Sequence, residues 1–149
     1  MALTTTTADP VAVANRLRPV LLQLARQLRR EVHPLGVTGS QVSLLVAIRR
    51  APGIGVGELA VQEATSAPAI SRHVRRLERL GLVRRVPARS GDRRRVGLEV
   101  TAEGERVLRR VRSRRTAWLA SRLRQLSPEE RQSIAAAIPP LAALLGVER

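Results

Sequence analysis

A chain of 149 residues is long enough for one folded unit with a hydrophobic core and too short for two independent domains. Basic residues outnumber acidic residues by 27 to 12, and the net charge of +15 indicates a polyanionic partner such as nucleic acid or an anionic membrane surface. The chain contains no cysteine, which excludes disulfides, thiolate metal sites and thiol redox chemistry.

All 27 basic residues are arginine. Guanidinium groups suit phosphate and guanine, which favours nucleic acid as the partner, although codon bias in a G+C-rich bacterial genome would give the same composition. The first ten residues, MALTTTTADP, lack the charged and apolar regions of a signal peptide, and no apolar run approaches the roughly 20 residues of a membrane span. We therefore expect a cytoplasmic, nucleoid-associated protein without a membrane partner.

The first predicted helix carries one apolar stripe at helical spacing. Pro19 is expected to bend this helix or to start it afresh, and the helix should end before Pro34. The segment TGSQ at 38–41 has the form of a capping box and opens a second helix, which APGIG ends. A short third helix follows over 57–63. The stripe of the first helix comprises Val13, Leu17, Val20, Leu21, Leu24 and Leu28.

A fourth helix is predicted from about Thr65 to Leu80. On a helical wheel Ile70, Val74 and Leu77 form one stripe for burial, and the opposite side is rich in arginine. Such a helix, preceded by a short helix and a tight turn, fits the major groove of DNA, although a solvated arginine face would show the same pattern. The outward side holds Thr65, Pro68, Arg72, Arg76 and Arg79, flanked by Arg75.

The pattern then changes to the alternation of β-strands, with a turn at ARSGD between two short runs. The second run places Val96, Leu98 and Val100 on one face and Gly97 and Glu99 on the other. A two-stranded hairpin is the natural interpretation.

The loop of this hairpin holds four arginines that could reach a phosphate backbone or enter a narrow minor groove. Asp92 is expected to hydrogen-bond a neighbouring guanidinium or loop amides and so to hold the loop in one conformation. The alternative is that this aspartate only forms the turn in SGD, and the two roles are compatible. The loop arginines are Arg89, Arg93, Arg94 and Arg95.

Thr101 can cap a long fifth helix that runs to about Leu126, and SPEE at 127–130 is a capping box for a sixth helix. Pro139 and Pro140 are expected to interrupt the sixth helix. A short helix, a tight turn, a helix and a β-hairpin follow one another in the order of a winged helix-turn-helix, in which the fourth helix would be the recognition helix. The apolar stripes of the first and fifth helices exceed what such a winged lobe of about 65 residues can cover. We therefore expect a two-fold dimer with recognition helices about 34 Å apart.

The predicted fold class is therefore mainly α with a small β-hairpin: a winged helix-turn-helix lobe together with dimerisation helices. We expect a single unit over 1–149, with the DNA-binding lobe at 37–100 and the dimerisation helices at 10–34 and 101–146.

The segment LVRRVPARSGDRRRVGLEVTAEG resembles the wing and following helix of the MarR family of bacterial transcriptional regulators. Residues 92–94 match its Asp-x-Arg wing, and VTAEG matches its Leu-Thr-x-x-Gly junction. IGVGELA and PAISRHVRRLERLGLV resemble its helix-turn-helix, and the resemblance spans roughly residues 15 to 145. Gly55 departs from the family, which often has a serine or threonine cap there, and the change weakens any hydroxyl contact to phosphate.

The resemblance implies a dimer built from the first, fifth and sixth helices that binds a pseudo-palindromic operator, with Arg94 in the minor groove. It implies two sets of DNA-binding residues. The recognition helix contributes Thr65, Ser66, Pro68, Ala69, Ser71, Arg72, His73, Arg75 and Arg76, and the wing contributes Arg89, Ser90, Asp92, Arg93, Arg94 and Arg95.

The resemblance also suggests a pocket for a small lipophilic or anionic effector between the dimerising helices and the winged lobe. Candidate residues are His33, Arg114, Arg115 and the only aromatic residue, Trp118. The alternative for the two arginines is a snorkelling side chain or an interchain ion pair. With two histidines that lack a second plausible ligand nearby, we expect no metal site.

The sequence contains no glycine-rich phosphate loop and no nucleophile with a matching base, so we predict neither an enzyme nor a cofactor. Two functions remain: a sequence-specific regulator, more often a repressor than an activator, and a non-specific basic protein that coats DNA or RNA in an architectural or ribosome-associated role. The organised hairpin favours the regulator, because a coat needs charge but no ordered wing.

Overall fold

A computed structural model of the protein describes residues 8–92 and 94–146. The predicted fold, mainly helical with one small hairpin, is confirmed. Within the described residues, no helix is both long enough and apolar enough to cross a membrane. The elements in chain order are α1 (Pro10–Arg30), a 3-10 turn (His33–Leu35), α2 (Gly39–Arg50), α3 (Val56–Gln62), α4 (Ala67–Arg79), β1 (Val83–Pro87), β2 (Val96–Val100), α5 (Ala102–Leu123) and α6 (Pro128–Ala143).

Local capping signals set the helix starts. The Thr38 hydroxyl accepts a hydrogen bond from the Gln41 amide at 3.2 Å, and the Gln41 side chain accepts one from the Thr38 amide at 3.0 Å. Ser127 and Glu130 form the same reciprocal pair at the start of α6, and Thr101 caps α5. All three predicted caps are therefore confirmed, since each depends on residues within one helical turn.

The prolines do not break the helices. α1 is continuous through Pro19, so of the two alternatives expected there a fresh helix start is excluded. The predicted interruption of α6 at Pro139 and Pro140 is wrong, because this helix continues to Ala143. Proline holds φ near a helical value, and each ring nitrogen removes only its own hydrogen bond, so the turns on either side can carry the helix through. The path of the chain after the proline pair is therefore helical for one further turn.

One hydrophobic core joins α2, α3, α4, the hairpin and the first half of α5. It reaches from Val32 to Val111, so it includes residues on both sides of the segment predicted as the winged lobe. By contrast, α1 and α6 contain no buried residue. The largest fully buried side chains of the core include Leu45, Ile48, Ile54, Leu59, Ile70, Leu77 and Leu98.

The loop between α2 and α3 pairs with the hairpin, which the sequence did not predict. β1 and β2 pair antiparallel, as expected, and Leu98 also bridges the loop between α2 and α3. The Leu98 amide donates to the Ile54 carbonyl at 2.9 Å, and the Gly53 amide donates to the Leu98 carbonyl at 2.8 Å. The hairpin is thereby fixed to the segment that leads into α3.

Gly97 allows this close approach. A Cβ atom at this position would lie 2.2 Å from the carbonyl oxygen of Gly53 and 2.6 Å from its carbonyl carbon. Gly97 is buried for this reason, while Val96 at the loop end of β2 is 48% exposed. The predicted alternation of inward and outward residues therefore holds at Leu98 but not at the start of the strand.

Candidate nucleic-acid interface

Helix α4 divides into an inward and an outward face. Ile70, Val74 and Leu77 are buried, as the helical wheel predicts. The helix begins at Ala67, two residues later than expected, because the Ser66 hydroxyl caps it by accepting a hydrogen bond from the Ala69 amide at 3.3 Å. The capping serine therefore lies at the very start of the outward face.

The predicted contact residues of α4 do not all point the same way. Ala69, Ser71 and His73 are partly buried. His73 lines a cavity of about 240 Å³ together with Arg29 of α1 and residues of α2. The exposed members of the predicted set are Thr65, Ser66, Pro68, Arg72, Arg75 and Arg76.

The turn between α3 and α4 contains a backbone feature that the sequence did not signal. Ala64 adopts φ +49°, in the left-handed region that glycine and asparagine usually occupy. The Thr65 amide donates to the Ala60 carbonyl at 3.0 Å and closes the end of α3. Packing of the two helices holds an alanine in a conformation that its own preference disfavours.

Asp92 organises the tip of the wing. Its Oδ1 accepts a hydrogen bond from the Arg94 amide at 3.0 Å, and its Oδ2 lies 3.7 Å from Nε of Arg95. The Arg95 amide in turn donates to the Asp92 carbonyl at 3.0 Å. The predicted hydrogen bond to a loop amide is thus present, whereas the neighbouring guanidinium of Arg95 lies at ion-pair distance and beyond hydrogen-bonding range. Arg93, predicted as a wing residue, lies outside the described residues.

Two ion pairs tie the wing to the helix-turn-helix. Arg85 of β1 donates to Glu78 of α4, with 2.7 Å between Nε and Oε1. Arg89, expected as a DNA contact, donates through Nη2 to the carboxylate of Glu58 in α3. This hydrogen bond and the positive charge of Arg89 hold the pKa of Glu58 below its usual range. Sequence reasoning found neither carboxylate, because no spacing rule connects residues in separate elements.

Several exposed arginines remain available for a partner. Among the residues that the structure describes, no carboxylate lies within 4.0 Å of the guanidinium groups of Arg72, Arg76, Arg79 and Arg94. Unpaired guanidinium groups on a helix face and on a wing tip can bind phosphates and base edges.

Comparisons with known proteins agree with this arrangement. A sequence profile of the MarR family matches residues 35–95. An HTH-type transcriptional regulator of Mycobacterium tuberculosis is 31% identical over 133 residues, which cover 89% of this chain and 92% of the relative. The chain belongs to the MarR family. As a MarR-family protein it is a DNA-binding transcriptional regulator, and the prediction that it is not an enzyme is confirmed.

Solved structures show the same fold. A transcriptional regulator from Pseudomonas aeruginosa PA01 has a TM-score of 0.76 at 34% identity, over 93% of this chain and 96% of that chain. The crystal structure of MarR has a TM-score of 0.67 at 32% identity, over 87% of this chain and 90% of that one. The winged helix-turn-helix architecture predicted for this MarR-family regulator is therefore confirmed.

The four predicted effector residues of this MarR-family regulator do not share one cavity. Arg114 and Arg115 donate through Nε to the carbonyls of Glu31 and Leu28, at the C-terminal end of α1. Arg115 also lines a groove of about 250 Å³ between α1, α2 and α5, and burial together with the nearby Arg29 lowers its pKa. His33 is exposed, and the ring centroid of Trp118 lies 5.5 Å from the guanidinium carbon of Arg122. Effector binding stays a prediction.

Proposed function

We propose that this MarR-family regulator acts as a two-fold dimer that represses transcription by occupying a pseudo-palindromic operator on the nucleoid. In each protomer α4 enters the major groove and the wing places Arg94 in the adjacent minor groove. The observation that carries this proposal is the outward face of α4, where Arg72, Arg76 and Arg79 are exposed without a carboxylate partner among the described residues.

The outward face of α4 supports sequence recognition. Guanidinium groups can donate paired hydrogen bonds to guanine in the major groove, and hydroxyl groups at a helix start can contact phosphate. We assign base and phosphate contacts to the exposed members of the predicted set and a supporting role to the partly buried ones. The exposed members are Thr65, Ser66, Pro68, Arg72, Arg75 and Arg76.

The wing supports the minor-groove assignment. Asp92 holds the backbone amide of Arg94, so less conformational entropy is lost when the loop binds DNA. A narrow minor groove has an enhanced negative potential that attracts a guanidinium group. A protein that only coated DNA would gain little from a loop ordered in this way.

The helices outside the core support the dimer. α1 has 21 residues and α6 has 16, yet neither buries a residue within one protomer. Large apolar side chains stay exposed along both helices, which a two-fold partner would cover. They include Val13, Val20, Leu21 and Leu24 of α1 and Ile134 and Ile138 of α6.

We expect light scattering at micromolar concentration to give a mass of about twice the 16.3 kDa of one chain. Leu24→Glu should convert the protein to monomers, because a carboxylate would replace an apolar contact in the interface. Val61→Glu is the matched control: Val61 is 81% exposed on α3, outside the proposed interface, so this variant should remain dimeric. A wild-type protein of single-chain mass would refute the dimer.

The function itself is tested by competition. Duplexes are selected from a random library by the protein, and binding of the selected duplex is then challenged with random duplex of equal length. We expect the selected duplex to bind about 10³-fold more tightly or better, with two protomers per duplex. A non-specific coat would bind both duplexes equally, because phosphate neutralisation alone carries no sequence information.

A further inference from the structure

The ion pair between Glu58 and Arg89 joins two segments that are far apart in the sequence. Glu58 lies in the first turn of α3, whereas Arg89 follows β1 at the base of the wing. Both side chains are about half exposed, at 46% and 43% respectively. A glutamate carboxylate is ionised at neutral pH, and the hydrogen bond from Arg89 lowers the pKa of Glu58 further. The pair therefore couples the wing to the helix-turn-helix under physiological conditions.

The backbone of Arg89 is held at the same place. Its amide donates to the Gly53 carbonyl at 3.0 Å, and the Ala88 amide donates to the Arg95 carbonyl at 3.2 Å. A Cβ on Gly53 would lie 3.0 Å from the Cβ of Arg89, so the two segments are in close contact. We call the ion pair and the Arg89–Gly53 hydrogen bond the wing clamp. The clamp fixes the base of the loop whose tip is organised by Asp92.

An arginine in this position is poorly suited to read DNA. Its guanidinium already donates to a carboxylate, and a phosphate approaching it would also meet the negative charge of Glu58. The side chain of Arg94, in contrast, has no carboxylate partner among the residues described. Arg89 and Arg94 were both predicted to contact DNA, but within the described part of the chain only the guanidinium of Arg89 is neutralised by a carboxylate.

We propose that Glu58 and Arg89 are positioning residues of the wing: their ion pair holds the hairpin base against α3 so that Arg94 is presented to DNA, and Arg89 itself does not contact phosphate. This inference rests on the proposed DNA-reading role of the wing. It reassigns Arg89 from the contact set implied by the family resemblance to the support of that set.

Salt dependence separates positioning from contact. We expect Arg89→Gln and Glu58→Gln to weaken binding of the library-selected duplex by similar factors, about threefold to tenfold, since each breaks the same surface ion pair in both protomers. The slope of log affinity against log salt should stay at its wild-type value, because no phosphate contact is lost. The reversed pair, Glu58→Arg with Arg89→Glu, should restore most of the affinity.

A contact role predicts the opposite pattern. If Arg89 bound phosphate, Arg89→Gln would reduce the magnitude of the salt slope by about 1.8 for a two-fold complex, and Glu58→Gln would tighten binding by removing a negative charge. Either result would overturn the proposal. Glu99→Gln is the matched control: Glu99 pairs with Arg84 across the hairpin at 2.8 Å, and its loss changes the net charge equally without touching the clamp.

Amide hydrogen exchange tests the wing clamp in the free protein, without DNA. We expect Glu58→Gln to accelerate exchange of the Arg89 amide severalfold, and Glu99→Gln to leave it unchanged. Unchanged exchange in Glu58→Gln would refute the clamp even if the protein selects an operator. A wild-type protein that selects no duplex would instead refute the proposed function, while exchange still reports whether the clamp exists.

Discussion

Replacing Gly97 by alanine is expected to lower the free energy of unfolding by about 2 to 3 kcal/mol and the melting temperature by roughly 5 to 10 °C. The added Cβ would lie 2.2 Å from the carbonyl oxygen of Gly53, well inside van der Waals contact. The position of this Cβ is fixed by the backbone of β2, and the atoms it meets are backbone atoms of Gly53, so no flexible side chain can move away. β2 would have to shift and break its hydrogen bonds to Gly53 and Ile54. Thermal melts followed by circular dichroism measure the effect.

Gly57→Ala is the matched control for this substitution. Gly57 lies in the first turn of α3, and a Cβ there would meet no atom within 4 Å. Alanine has the higher helix propensity, so the control should be neutral or more stable by up to about 1 kcal/mol. Equal melting temperatures for Gly97→Ala and the wild type would show that β2 does not need its close approach to the Gly53 carbonyl.

Replacing Arg94 by alanine is expected to weaken operator binding about 100-fold. A hydrogen bond to a charged group contributes about 1.5 kcal/mol, and a two-fold complex contains two copies of the wing. The loss should be greatest on operators with A·T-rich flanks, where the minor groove is narrow and its potential most negative. Titration of selected duplexes that differ only in their flanks measures both effects. An equal loss on A·T-rich and G·C-rich flanks would contradict the minor-groove assignment.

Asp92→Ala separates loop order from charge in the same experiment. The substitution makes each protomer more positive, yet it should weaken binding, by less than Arg94→Ala, because the Arg94 amide loses the carboxylate that holds it. Glu103→Ala, which removes an exposed carboxylate on α5, controls for net charge. Tighter binding by Asp92→Ala would mean that charge, and not the order of the loop, governs the wing.

Much of the fold could be predicted because its determinants are local. Thr38, Thr101 and Ser127 cap helices through bonds to residues three positions away, and Asp92 holds an amide two positions away. The buried stripe of α4 follows from helical periodicity alone. Each of these features is set by residues within a turn or two of one another, so spacing along the chain is enough to find it.

The partners of the arginines could not be predicted in this way. Sequence reasoning grouped Arg89 with Arg94 as wing contacts and Arg114 with Arg115 as effector residues. The structure pairs Arg89 with Glu58, 31 positions earlier. Arg114 and Arg115 donate to backbone carbonyls at the C-terminal end of α1, more than 80 positions away. Charge and composition show that a guanidinium group is present, but the fold decides which acceptor it meets.

The sequence by itself therefore determined the family through its motifs. It also determined the order of the elements, the two faces of α4 and the ordered tip of the wing, since short-range hydrogen bonds and periodic burial specify them. Only the tertiary structure decided that α1 and α6 run through their prolines, that Gly97 contacts the Gly53 backbone, and that Glu58 engages Arg89. The physical reason is that these features depend on how separate elements pack in space, which no local spacing encodes.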